Sequence, residues 1–424
     1  MKAQGLSTRA RTAVLVAAIG GMIFDGVELG LMPVASLSVS RDLLGVASTP
    51  ALEGEWFARF TAALMLGAAV GGIVLGSLGD SLGRARALGI SILCYSVFAG
   101  MGGFVRTQEQ MLVLRFVVGL GVGGVWPNAV ALAAECWPDK SRPFVAGIMG
   151  AALNSGILLL SQIARIWHIT PESWRWMFKM AAAPAILGLL VLIALPESPL
   201  WLANHQRIRA QTNETQRNDS SSGIQVMFRP PLLRLTLIGS LLGSIPMVGA
   251  WAASKWMIPW ADKVGGPTHT GYKAITQGWW AVGAVLGSFF GAQIAAWLGR
   301  RRAYALISAG ATVLTLVMFL GTAPFRSSFL PIVFAQGFVA TLFFGWLPLY
   351  LPELFPTRVR AAGSGIAYNV GRFATAVGVF MAGALFTLGG GSYPKVGATC
   401  GLIYAFGLIA IWIAPDTTGR RLDD

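Results

Sequence analysis

Ten stretches of this chain run for 17 to 26 residues without a charged side chain: 60–79, 87–105, 116–134, 143–164, 180–196, 235–254, 274–299, 303–325, 327–352 and 396–415. Two more, 12–40 and 361–394, are interrupted only by Asp25 with Glu28 and by Arg372. About 20 apolar residues carry a helix across the hydrocarbon core of a bilayer. Twelve such runs predict an all-α membrane protein with twelve transmembrane helices. The remainder of the composition agrees, since 12% charged residues is half of the roughly 25% a soluble surface carries. No run alternates apolar and polar residues, which excludes a β-barrel. The first run is too long for a secretory signal peptide and holds two acids, so it is expected to be retained.

A phrase at the end of one run is written twice. Glu135, Pro138 and Arg142 keep the spacing of Glu353, Pro356 and Arg360, and Gly83-Arg84 is matched by Gly299-Arg300. The two offsets, 218 and 216 residues (353 − 135 and 299 − 83), nearly coincide. Duplication of a six-helix unit explains that agreement, and internal repeats of this size are a mark of transporters. The expected organisation is a bundle over 1–202, a polar loop over 203–231 and a second bundle over 232–424, the two bundles being pseudo-symmetric. Part of the loop is expected to lie as an amphipathic helix on the membrane surface. Clustered glycines such as Gly67, Gly71 and Gly123, and Gly283, Gly287 and Gly291, suit close helix packing in lipid.

The net charge of +14 is an orientation signal and not a nucleic-acid footprint. Lys and Arg gather in alternate loops, at Arg84, Arg86, Lys140, Arg142, Arg300, Arg301, Arg302, Arg358 and Arg360, and at both termini. By the positive-inside rule those loops and both termini face the cytoplasm, placing a multi-pass chain in the cytoplasmic membrane. Cys94, Cys136 and Cys400 have no paired spacing, and His168, His205 and His269 have no metal spacing, so no disulfide, metal or cofactor is expected. The Asn213 sequon is read as a chance match. The expected partners are membrane lipid, a small-molecule substrate and a proton, with the protein acting as a monomer.

Charges inside the runs are costly and mark function by default. Asp25 and Glu28 are three apart on one face of the first helix, Arg115 lies in the fourth, and Arg372 near the middle of the eleventh. A guanidinium in mid-membrane can grip a carboxylate with two parallel bonds; the alternative is an ion pair with a helix acid. Further pocket candidates are Trp126, Asn128, Asn154, Gln162, Trp280, Gln336, Trp346, Tyr368 and Asn369, with interhelical hydrogen bonding as the alternative for each. Lys255 is expected to snorkel from the outer end of the seventh helix. Arg165, His168 and Arg175 carry no assigned role. Asp80, Arg84, Glu135, Arg142, Glu353 and Arg360 sit at helix ends, where opposite charges can form a cytoplasmic latch between the halves. Ala296 stands where the second copy would match Asp80, so the latch is expected to be asymmetric.

The chain resembles the major facilitator superfamily. The resemblance rests on Gly76-x3-Asp80-x2-Gly83-Arg84-x-Arg86, Arg115-Phe116-x2-Gly119-x-Gly121-x-Gly123, Trp174-Arg175-Trp176-Met177, Pro196-Glu197-Ser198-Pro199 and Pro352-Glu353-x2-Pro356-Thr357-x2-Arg360. It implies the major facilitator fold and alternating access, and that a first-helix acid with Arg115 forms a proton-sensitive pair; a static brace is the alternative. Asp25-Gly26-Val27-Glu28 and Arg372 look more like the aromatic-acid and sialic-acid proton symporters than like sugar porters, whose Gln- and Asn-rich seventh-helix phrase is missing. The expected activity is therefore proton symport of a small organic anion. A sugar or polyol symporter is the alternative, with drug or metabolite export behind it because the fifth helix lacks the exporters' Gly-Pro phrase. No catalytic constellation supports an enzyme.

Overall fold

The computed structural model describes residues 6–136, 142–199, 201–203, 227, 229–230, 232–356 and 359–418. Pro138, Lys140, Arg358, His205, Asn213 and most of the 203–231 loop, with its expected surface helix, lie outside the described residues, as does the side chain of Arg142. Among the described residues, twelve helical spans are long and apolar enough to cross a membrane: α1 Thr8–Ala47, α2 Pro50–Leu82, α3 Arg84–Phe104, α4 Gln108–Cys136, α5 Phe144–Ile166, α6 Arg175–Ala194, α7 Leu232–His269, α8 Tyr272–Leu298, α9 Arg300–Gly321, α10 Phe329–Leu354, α11 Gly363–Leu388 and α12 Tyr393–Ile413. Six precede the polar loop and six follow it. The helices outrun their charge-free cores: α2 begins at Pro50, capped by the Thr49 hydroxyl, and takes in Glu53, Glu55 and Arg59.

The duplication is visible in the packing. Within the first half, a Cβ placed on Gly67 or Gly71 would meet the carbonyl oxygen of Phe116 or Leu120 on α4. The same is true of Gly283 and Gly287 on α8 against Phe334 and Phe338 on α10, in register with the 216–218 residue offset. In lipid, where burial of apolar surface drives nothing, such backbone-to-backbone approach supplies the association. The turns repeat as well. Gly83 (φ +114°) and Gly299 (φ +84°) each bend the chain between consecutive spans in a conformation that L side chains rarely adopt. The helix that starts next is capped from the end of its own half. Ala85 N–H donates to the Glu197 carboxylate at 2.9 Å, and Arg300 N–H donates to the Thr418 hydroxyl at 3.0 Å. An anion or oxygen at a helix N-terminus satisfies otherwise orphaned amides.

Twelve crossings put both chain ends at one end of the bundle, called here the terminal end. The halves meet along α2 with α11 and along α5 with α8. At the far end Lys273 Nζ on α8 donates to Ser38 on α1 at 3.1 Å and to Asp262 on α7 at 3.2 Å. Beside it Arg41 grips Glu53 with two 3.0 Å bonds. Trp256 fills the gap beneath, with its ring 4.9 Å from Phe386 and 5.0 Å from Phe57. These buried groups close the interior from the far end.

Candidate functional site

A pocket lies between the halves. Asp25 on α1, Trp126 on α4 and Asn154 on α5 line it from the first half. Trp251 and Lys255 on α7, Trp280 on α8, and Tyr368 and Arg372 on α11 line it from the second. Five of the ten expected pocket residues are thus brought together: Arg372, Tyr368, Trp126, Asn154 and Trp280. Five are not. Asn128 is fully buried and donates to Leu75 and Gly124 carbonyls, tying α4 to α2. Asn369 donates to the Gly365 carbonyl of its own helix and faces Gly72. Gln336 lies behind the wall, accepting from the Trp280 indole at 2.8 Å and donating to Ser254 at 2.6 Å. Gln162 faces the α5–α8 cleft and Trp346 donates to the Arg300 carbonyl.

Arg372 reaches across the halves. Its Nη1 donates to the carbonyls of Ala68 (2.9 Å) and Gly123 (3.1 Å), and its guanidinium lies 5.2 Å from the Tyr368 ring centroid. Those carbonyls already sit inside helices α2 and α4, so they fix the guanidinium without neutralising it. Asp25 lines the same cavity, and its buried Oδ1 accepts no hydrogen bond. Asp25 does not pair with Arg115. That arginine donates to Glu28 instead, both being almost completely buried. The three-residue spacing explains the split: Glu28 turns toward α4, leaving Asp25 toward the cavity.

Lys255 departs from the sequence expectation. Its side chain is buried, and Nζ stands 3.4 Å from the Trp280 ring centroid and 5.6 Å from that of Trp251. It cannot snorkel because α7 runs on to His269, so the position is deep in the span. The helix deforms there, with a π-helical turn over Gly249–Ala253 followed by a 3₁₀ turn over Ser254–Trp256. Such breaks recur at functional positions. The apolar continuation Trp256-Met257-Ile258-Pro259-Trp260-Ala261 after the single lysine was the signal available in the sequence.

Two sets of charges at the terminal end are each gathered within one half. Arg84 pairs with Asp80 at 2.6 Å and with Glu135 at 3.5 Å, while Ser198 donates to Glu135. Arg300 grips Glu353 with bonds of 2.9 and 2.7 Å, and Thr417 adds a third at 2.6 Å. Each set joins helices of one half, because the repeated glycine turn brings the arginine beside the end of its own α4 or α10. With Ala296 in place of an acid, Arg300 gives Nε and Nη2 to Glu353, while its Nη1 donates to the Ala295 carbonyl at 2.9 Å. Arg360 donates to the Phe355 carbonyl at 3.4 Å. Just beyond α12, the Thr418 hydroxyl bonded to Asp416 holds that carboxyl below its usual range.

This contrast sets an expected result. Asp80, with a side chain 68% exposed, contributes less than about 1 kcal/mol through its ion pair. Buried Glu353 leaves an unpaired guanidinium when neutralised, at a cost of about 3–5 kcal/mol. Thermal unfolding in detergent is expected to show a large fall for Glu353→Gln and almost none for Asp80→Asn. Equal shifts would contradict the burial argument.

The chain has relatives along nearly its full length. It is 28% identical over 392 residues to the cis,cis-muconate transport protein of Acinetobacter baylyi, covering 91% of each chain. It is 29% identical over 360 residues to a probable 4-methylmuconolactone transporter of Cupriavidus pinatubonensis, covering 84% of this chain and 81% of the relative. Among solved structures, a partially occluded inward open conformation of the xylose transporter XylE from E. coli superposes with a TM-score of 0.75. It is 19% identical and covers 98% of this chain and all of that one. At that identity the likeness establishes the fold. The sequence profile of the Major Facilitator Superfamily matches residues 13–378, and with twelve spans in the same arrangement this chain belongs to that superfamily of membrane transporters.

Proposed function

We propose that the protein carries a small organic carboxylate across the cytoplasmic membrane by alternating access, in symport with a proton. The observation that carries this reading is the pairing, on one pocket, of an arginine fork with a carboxylate that has no ion-pair partner among the described residues. Arg372 is fixed by carbonyls that leave its charge available to an anion. Asp25 accepts the proton, and the Glu28–Arg115 pair one turn away sets the field it experiences. Trp126, Trp280 and Tyr368 supply flat walls suited to an unsaturated or aromatic body. The names of the relatives, muconate and methylmuconolactone transporters, favour the same class. Both termini and the charged terminal end face the cytoplasm by the positive-inside rule. The monomer, with bundles over 1–202 and 232–424 joined by 203–231, is the working unit.

A sugar symporter is the competing reading, since an arabinose-proton symporter of Bacillus subtilis is 25% identical over 452 residues. Uptake of labelled muconate, benzoate and xylose into proteoliposomes, with and without an imposed proton gradient, separates the two. Accumulation of an acid driven by an inward proton gradient is expected. Uptake of xylose alone would transfer the protein to the sugar class, and acid uptake indifferent to the gradient would remove the proton from the cycle.

A further inference from the structure

Lys255 is a buried cation that the reading above does not use. Among the described residues its Nζ has no hydrogen-bond partner, although an ammonium carries three donors. Isolating such a charge from water is expensive, and two indole faces return only part of that cost. A methionine or leucine would fill the same space at no such cost. The amine is nonetheless held in place by design of its surroundings. Gln336 accepts from the Trp280 indole and donates to Ser254, the residue before Lys255, so one amide fixes both the ring beneath the amine and the backbone that presents it. Ser254 in turn donates to the Gly249 carbonyl at 3.2 Å, bracing the π-helical turn.

Lys255 and Arg372 line the same cavity, and Asp25 is the one carboxylate among its lining residues. We propose that Lys255 is a second anion anchor and that the substrate class is the dicarboxylates with a flat apolar middle. One carboxylate is gripped by Arg372, the other receives hydrogen bonds from the Lys255 ammonium, and the body lies against Trp126, Trp251 and Trp280. This rests on the carboxylate transport proposed above and deepens it. The charges agree. Two cations and one ionised Asp25 are neutralised by a monoanion, whereas a dianion achieves neutrality only when Asp25 holds a proton. The Glu28–Arg115 pair behind Asp25 sums to zero and Tyr95 adds a neutral phenol, so neither alters that balance. Each dicarboxylate therefore enters with a proton.

Two matched pairs of probes test this: trans,trans-muconate against sorbate, which share one conjugated six-carbon skeleton, and terephthalate against benzoate. Affinities are read by ligand-dependent thermal stabilisation and by counterflow in proteoliposomes. In the wild type at least one diacid is expected to bind more tightly than its monoacid. Lys255→Met lowers that diacid-to-monoacid ratio by about 10- to 100-fold, the size of one charge-assisted hydrogen bond. Lys255→Arg, which keeps the charge, retains the preference and guards against a folding defect in the methionine variant. A wild type that binds both monoacids as well as their diacids overturns the second anchor while leaving carboxylate transport intact. An unchanged ratio in Lys255→Met overturns it equally. Failure to bind any of the four acids overturns the carboxylate reading itself, and the anchor with it.

Discussion

Arg372→Gln is expected to reduce carboxylate uptake by at least about 100-fold, the loss of a two-bond charged contact. Glutamine fills much of the same volume and can still donate to one of the carbonyls of Ala68 and Gly123, but it offers no charge to an anion. Stability is expected to change little. Those carbonyls belong to continuous helices, so losing the arginine leaves no orphaned acceptor, and the Tyr368 contact contributes only modestly. Arg372→Lys keeps the charge without the planar fork and is expected to fall between the two. Uptake by Arg372→Gln within a few-fold of wild type, at equal protein in the membrane, would remove the arginine from the substrate site.

Glu28→Gln carries a large expected effect on stability. The Glu28–Arg115 pair is buried to within 1–2% of full enclosure, and among the described residues Arg115 Nε and Nη2 have no hydrogen-bond partner. Neutralising the acid leaves a bare guanidinium between α1 and α4, at about 3–5 kcal/mol. A melting temperature close to wild type would show that the pair contributes little. The double variant Glu28→Gln with Arg115→Gln separates the brace from the coupling. Removing both charges is expected to restore most of the stability. Restored folding without gradient-driven accumulation assigns the pair to coupling, whereas recovery of both assigns it to bracing alone.

The sequence made the spans legible because lipid demands uncharged runs of fixed length, and the repeat legible because glycine turns tolerate few substitutes. It did not show where helices end, since charges such as Glu53 and Arg59 belong to α2 beyond the hydrocarbon. Asp25 and Arg372 stood out as charges too costly to be accidental. Lys255 did not, because it closed an uncharged window and looked like its edge, while in space α7 deforms just before it, where Ser254 accepts from Gln336 and lies 3.4 Å from the Tyr404 hydroxyl. Asn128 and Asn369 misled for a local reason: a helical asparagine can turn back to the carbonyl four residues earlier, which no spacing reveals. Which charged groups pair also depended on distance in space, as the exchange of Asp25 for Glu28 opposite Arg115 shows.

The caps on α3 and α9 bear on how the chain is made. Glu197 reaches the start of α3, and the ion pairs Arg41–Glu53, Arg84–Asp80, Arg115–Glu28 and Arg175–Asp42 all join residues that precede it. Once that carboxylate has left the ribosome, the early half has its own electrostatic closure in hand. Nothing in that closure waits for the later half, which is sealed in its turn by Thr417 and Thr418 at the very tail. The early half can therefore close its charges before the later half is made.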